Sequence, residues 1–119
     1  MSTTEQHRDK AVNNEFLRDT LQNPFWDWAV TATFYAALHY VEAYFARKKP
    51  ALHSKDHKVR DSYVRRDPVL KPVYRDYAHL KQESHDARYE AHIQIQQADV
   101  KRVQPHLEAI KKIVLPLIQ

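Results

Sequence analysis

The chain contains no cysteine and no glycine. Without cysteine there can be no disulfide, no thiolate metal site and no cysteine nucleophile. Without glycine, neither the phosphate loops of Walker A or dinucleotide type nor the GxSxG elbow of serine hydrolases can be written. Tight two-residue hairpins lose their favoured turn residue as well. No apolar run approaches the ~20 residues that a membrane-spanning helix needs. The stretch Met1 to Lys10 is polar and lacks the apolar segment of a secretory signal. These absences lead to the expectation of a cytoplasmic chain that engages no membrane. What remains is 119 residues, 43% hydrophobic and 29% charged. That is the composition of a folded globular chain, read as one domain over residues 1–119.

The formal net charge is +4, and its distribution is uneven. Between residues 47 and 66 stand Arg47, Lys48, Lys49, Lys55, Lys58, Arg60, Arg65 and Arg66, with Asp56 and Asp61 as the only acids. That segment is net +6, while the rest of the chain, with 11 basic and 13 acidic residues, is net −2. Such a patch attracts phosphate and speeds encounter with nucleic acid. The plainer alternative is a solvated loop and helix face.

Prolines mark the breaks, at Asn23-Pro24, Lys49-Pro50, Asp67-Pro68 and Pro72. The segments between them have helical periodicity. A first helix is expected over about Thr4 to Gln22, with Ser2 and Glu5 at capping-box spacing. Ala11, Leu17 and Leu21 lie near one face with Phe16 beside them, so this helix reads as weakly amphipathic and peripheral. The second, about Phe25 to Lys48, is apolar around most of its circumference and should be central. Its polar members Asp27, Thr31, Tyr35, His39 and Glu42 share an arc of about 120° with Trp28 and Leu38. That arc is poorly suited to water and should face a site or a partner chain. A third helix is expected over about Lys55 to Arg66, with Ser54 as N-cap and Val59 and Tyr63 as anchors. A fourth begins near Pro72 with Val73, Tyr77, Leu80, Ser84 and Ala87 as its core stripe. Ile93 to Ala98 reads as a loop or a continuation. The last helix, about Asp99 to Leu117, keeps 3–4 spacing through Val100, Val103, Leu107, Ile110, Val114 and Leu117, with a bend expected at Pro105. No segment alternates with period two. The expected fold is all-α, an up-and-down bundle of four or five helices around a central apolar second helix.

Eight histidines are available for chemistry. His53 and His57 have HxxxH spacing, and His39 could supply a third ligand, which raises a metal-binding bundle as one alternative. General acid–base work by histidine with arginine is another. Histidine titrates near neutrality, and arginine forks onto phosphate oxygens. His57 and Arg60, three apart in the basic segment, are the candidate acid–base and charge stabiliser. His39, Glu42, His53, Arg88 and Tyr89 are candidates for lining the substrate groove. Against these stand structural readings: Arg60 pairing with Asp56 or Asp61, and Arg88 pairing with Asp86 or packing over tyrosines. No cofactor is expected.

The run Asp27-Trp28-Ala29-Val30-Thr31-Ala32-Thr33-Phe34-Tyr35-Ala36-Ala37-Leu38-His39-Tyr40-Val41-Glu42-Ala43 resembles the aromatic helix of the HEPN superfamily. His53-Ser54-Lys55-Asp56-His57-Lys58-Val59-Arg60 resembles its following SHxxxR-like segment, and Leu80 to Tyr89 resembles the end of a later family helix. The resemblance covers residues 26–90. It implies a compact helical bundle, often dimeric, that is either a metal-independent ribonuclease of a toxin or defence system or a non-catalytic binder of nucleotides or proteins. Active members use an Arg-x4–6-His motif. Here that spacing occurs at Arg47 to His53, across the end of the second helix and the next loop. Arg75–His79, Arg88–His92 and Arg102–His106 are each one residue short. The resemblance therefore carries RNA or nucleotide binding, with catalysis left open. A homodimer or a protein partner of toxin–antitoxin or defence type is the alternative role.

Overall fold

A computed structural model describes residues 2–119. The chain forms α1 (Thr4–Thr20), α2 (Trp26–Ala46), α3 (His57–Arg66), a 3₁₀ turn (Lys71–Val73), α4 (Tyr74–Tyr89) and α5 (Gln97–Ile118), with no strand among the described residues. The expected all-helical bundle is what forms, and α2 is its centre, packed against α1, α4 and α5.

Composition explains why α2 occupies the middle. Ala29, Ala36, Ala37 and Ala43 are fully buried and let neighbouring helices approach closely, while Phe34, Tyr40, Val41 and Phe45 fill the space between them. The hydroxyls of Thr31 and Thr33 donate to the carbonyls of Asp27 and Ala29, both at 2.9 Å, so these polar residues enter the core already satisfied. Around α2 close Tyr77 and Leu80 of α4 and Val103, Leu107, Ile110 and Val114 of α5. Burying a side chain such as Phe34 or Leu107 contributes about 1.5–3 kcal/mol.

Several local expectations shift. The capping box of α1 is Thr3 with Gln6, one residue later than Ser2 with Glu5. The N-cap of α3 is Asp56, which accepts from the Val59 amide at 2.8 Å, and not Ser54. The buried side of α3 is Arg60 and Val64, with Val59 and Tyr63 only half-buried. Residues 90–96 connect α4 to α5. At the end of α5, Ile118 takes the core place expected of Leu117, which is 40% exposed. The helix runs continuously through Pro105. The proline is exposed, and it withholds one backbone N–H from the helix.

The largest departure is α1. It packs along α2 more extensively than any other helix does, so it is not peripheral. Its expected apolar face is split: Ala11 is buried as expected and Leu21 half-buried, but Leu17 is 48% exposed and Phe16 71%. Its inner face is Thr4, His7, Ala11, Glu15 and Arg18, mostly polar and at 3–4 spacing. Thr4 Oγ1 donates to the Ala43 carbonyl at 2.9 Å, and Glu15 accepts from the Tyr40 hydroxyl. Lys111 of α5 reaches Glu15 at 2.9 Å, joining three helices at one carboxylate.

Candidate phosphate-binding groove and the polar seam behind it

The polar arc of α2 is covered from within the same chain. Tyr35, His39 and Glu42 follow i, i+4 and i+7 along one face. Each meets a group from a different helix: Arg88 of α4, His7 of α1 and Arg60 of α3. Trp28, at the start of the arc, stays 53% exposed.

Glu42 and Arg60 form the buried centre. Glu42 is 3% exposed and Arg60 9%. Arg60 Nε donates to Glu42 Oε1 at 2.6 Å, and its Nη1 donates to His57 Nδ1 at 3.1 Å. Arg60 thus pairs with neither Asp56 nor Asp61 and does not reach out to a phosphate. It is an internal strut that charges the seam and orients His57. Glu42 does not line a groove either, because its carboxylate is spent on Arg60. The Tyr77 phenol lies beside this pair, fully buried and with no hydrogen-bond partner, and burial pushes its pKa up. Breaking one member of such a pair strands the other charge in the core.

His39 stacks on His7, with ring centroids 5.3 Å apart and Nδ1 atoms 3.1 Å apart. One imidazole must donate its Nδ1 proton while the other accepts. Burial, then His7, Lys10 and Arg60, push His39 down to about 4, against a smaller opposing pull from Glu42. Burial lowers His7 as well. Both rings are therefore neutral at physiological pH. His53, in the connection before α3, is half-buried with its Nε2 enclosed and unpartnered, and Ser54 Oγ is likewise unpartnered.

His57, the first residue of α3, is exposed. Its pKa is lowered by burial first, then by Arg60, Lys81 and Arg88, and Asp61 opposes them. With Nδ1 accepting from Arg60, its proton sits on Nε2. Lys81 lies one turn before Ser84 and two before Arg88 on α4 and is held by Asp61 at 3.3 Å. Arg88 Nη1 donates to the Tyr35 hydroxyl at 2.6 Å, and the guanidinium lies over the rings of Tyr35 and Tyr89 at 5.4 and 5.2 Å. Packing over tyrosines is thus the structural reading of Arg88 that holds. Its Nε is buried and unpartnered. Tyr89 is 67% exposed at the end of α4.

The structure thus brings His57, Arg60 and Arg88 to one region and adds Lys81, which sequence reasoning missed. His39, Glu42 and His53 sit on or behind the seam, with His7 as a second missed member. Among the described residues no three His, Asp or Glu side chains could hold a metal ion, so His39, His53 and His57 do not make the metal site their spacing raised. Of the basic segment, Arg47 donates to the Leu117 carbonyl, Lys48 pairs with Asp67 at 2.8 Å, and Arg60 is buried. Lys49, Lys55, Lys58, Arg65 and Arg66 remain exposed.

Two hollows adjoin this region. A cleft of about 660 Å³ lies between the start of α2, the end of α4 and the α4–α5 connection, with Arg88 on its wall. A shallower, almost wholly apolar groove of about 350 Å³ runs between α1 and α2, lined by Leu17, Leu21, Trp28, Ala32 and Tyr35 among others. Among the described residues no helix is long and apolar enough to cross a membrane. No family model, curated protein or solved structure matches the chain.

Proposed function

We propose that the chain is a HEPN-like module that binds the phosphate of an RNA or nucleotide in the groove formed by His57, Lys81 and Arg88. The observation that carries this reading is the clustering of Lys81 and Arg88 near enough to His57 for their charges to lower its pKa, with Asp61 opposing them. Lysine and arginine supply charge and His57 supplies an Nε2–H donor, a set suited to phosphate oxygens. Five further exposed cations of the basic segment draw polyanions toward the same side of the sequence.

The same tautomer favours binding over cleavage. A metal-independent ribonuclease needs a base for the 2′-hydroxyl proton. His57 Nδ1 is occupied by Arg60 and its Nε2 is protonated. Arg60, expected to stabilise charge on phosphate, is committed to Glu42.

The test is fluorescence anisotropy with a short labelled RNA over a salt series, with EDTA present. Lys81→Ala should weaken binding and lower the slope of log affinity against log salt by about 1. Unchanged binding by Lys81→Ala and His57→Ala would refute the groove. RNA cleavage that His57→Ala abolishes would establish the ribonuclease in place of the binder.

A second reading is a protein-interaction module, a homodimer or a hetero-partner of toxin–antitoxin or defence type. It is favoured by Phe16, Leu17 and Trp28, exposed around the apolar α1–α2 groove. A mass measurement in solution should drop from dimer to monomer on Trp28→Ser if a second copy covers that face.

A further inference from the structure

His79 and His106, in sequence only the ends of two short Arg–His spacings, meet across the seam between α4 and α5. Their ring centroids are 4.4 Å apart. Two imidazoles on neighbouring positions of one metal ion, with metal–nitrogen bonds of about 2.0–2.1 Å, place their centroids about 4.5 Å apart. Each ring is also backed by a carboxylate. Asp76 accepts from His106 Nδ1 at 2.8 Å, and Glu83 faces His79 Nε2 at 3.6 Å. A ring that gives one N–H to a carboxylate offers the lone pair of its other nitrogen, which is how metal-ligating histidines are held. The spacing puts these groups in register: Asp76, His79 and Glu83 follow i, i+3 and i+7 on α4, and Asp99, Arg102 and His106 do so on α5. Arg102 is matched by Glu83 at 3.1 Å and by Asp99 at 2.9 Å, so the carboxylates of this seam outnumber its guanidinium. Both rings are within reach of solvent, the His79 side chain 44% exposed and that of His106 31%.

We infer that His79 and His106 together bind one late first-row divalent metal ion, of the Zn²⁺ and Cu²⁺ class, on the α4–α5 seam. Among the described residues no three His, Asp or Glu side chains converge on an ion, so the two imidazoles are its protein ligands and the other coordination positions fall to water. Imidazole suits these ions, whereas Mg²⁺ and Ca²⁺ prefer oxygen. The bound ion ties α4 to α5 and stabilises the folded chain alone. Asp76 is a positioning residue, which fixes the tautomer and orientation of the His106 ring. The site shares no residue with the phosphate groove and does not rest on that reading.

Calorimetric titration of the untagged full chain, stripped with EDTA and dialysed, with Cu²⁺ and with Zn²⁺ tests this. One ion should bind per chain, Cu²⁺ more tightly than Zn²⁺, and excess Mg²⁺ should not compete. His79→Gln and His106→Gln should each weaken Cu²⁺ by about 10-fold or more, whereas His85→Gln and His92→Gln should leave it unchanged. Asp76→Asn keeps both ligands and should still weaken binding by about 10-fold, because the His106 ring loses its carboxylate. The electron paramagnetic resonance spectrum of the Cu²⁺ complex should show two coordinated imidazole nitrogens. Saturating Zn²⁺ should raise the melting temperature of the wild type and not of His79→Gln. Helix circular dichroism checks that each variant folds. Saturable binding that survives both His79→Gln and His106→Gln would overturn the site. Loss of binding on His39→Gln with retention on His79→Gln would overturn it too, by moving the ion to the α1–α2 stack. The absence of saturable binding by either ion would do the same.

Discussion

Lowering the pH should unfold this protein through the His7–His39 stack. His39 goes from its ordinary 6.5 to about 4 when the chain folds. The unfolded chain therefore takes up a proton that the folded one refuses, and stability falls as pH drops from 6.5 toward 4. Above 6.5 both states are neutral at this site, and the contribution is fully present. At about pH 5 the undamped shift of His39 corresponds to about 2 kcal/mol relative to about pH 7.5, and solvent screening of this part-exposed ring brings the loss to about 1 kcal/mol. His7 is lowered too, which adds in the same direction. Urea unfolding followed by helix circular dichroism reads this directly. With a slope of about 2 kcal/mol per molar, the midpoint should fall by about 0.5 M over that interval beyond whatever the other groups contribute. His39→Gln removes the titrating ring and should flatten that part of the dependence. If wild type and His39→Gln lose stability in parallel between the two pH values, the argument from burial and stacking is wrong.

Four other outcomes follow from the packing. Glu42→Gln leaves the Arg60 guanidinium in the core without its counter-charge and should cost about 3–5 kcal/mol in chemical denaturation. Arg60→Ala should likewise lower the melting temperature, because it strands the Glu42 carboxylate in the core. Replacing both together by apolar residues, Glu42→Leu with Arg60→Met, should recover much of that loss, and a double variant no more stable than Glu42→Gln would refute the pairing. Pro105→Ala restores a backbone hydrogen bond on an exposed face of α5 and should raise stability by about 1–3 kcal/mol, read as a higher melting temperature.

The apolar skeleton was legible because hydrophobic periodicity reports burial directly. Most of the apolar positions of α2, the Val103–Leu107–Ile110–Val114 run of α5 and the Val73–Tyr77–Leu80–Ser84 line reached the core, whereas Val100 is half-buried and Leu117 exposed. α1 was misjudged for the same reason. Its inward face is Thr4, His7, Ala11 and Glu15, of which only Ala11 belongs to the apolar stripe, while Phe16 and Leu17 point outward. The Arg60 partner was hidden by distance along the chain. Asp56 and Asp61 were the local choices, and Glu42, 18 residues away, is brought to Arg60 only by the packing of α3 on α2. Lys81 was passed over because one lysine in a charged helix carries no signal until α3 lies beside it. His7 showed a trace in retrospect, since Thr4, His7, Ala11 and Glu15 repeat at 3–4 spacing and end on a carboxylate that needs a buried donor.

The polar inner face of α1 also sets where the molecule yields first. Only Thr4 and Ala11 of this helix are buried, so it brings little apolar surface of its own to the contact with α2, and water replaces most of the hydrogen bonds it gives up on lifting. Detaching α5, by contrast, uncovers Val103, Leu107, Ile110 and Val114 at once. Amide hydrogens of α1 should therefore exchange through a partial opening well below the global unfolding free energy, while those of α2 and α5 exchange only with the whole bundle. In that open form the His39 side of α2 meets solvent while the core formed by α2, α4 and α5 stays closed.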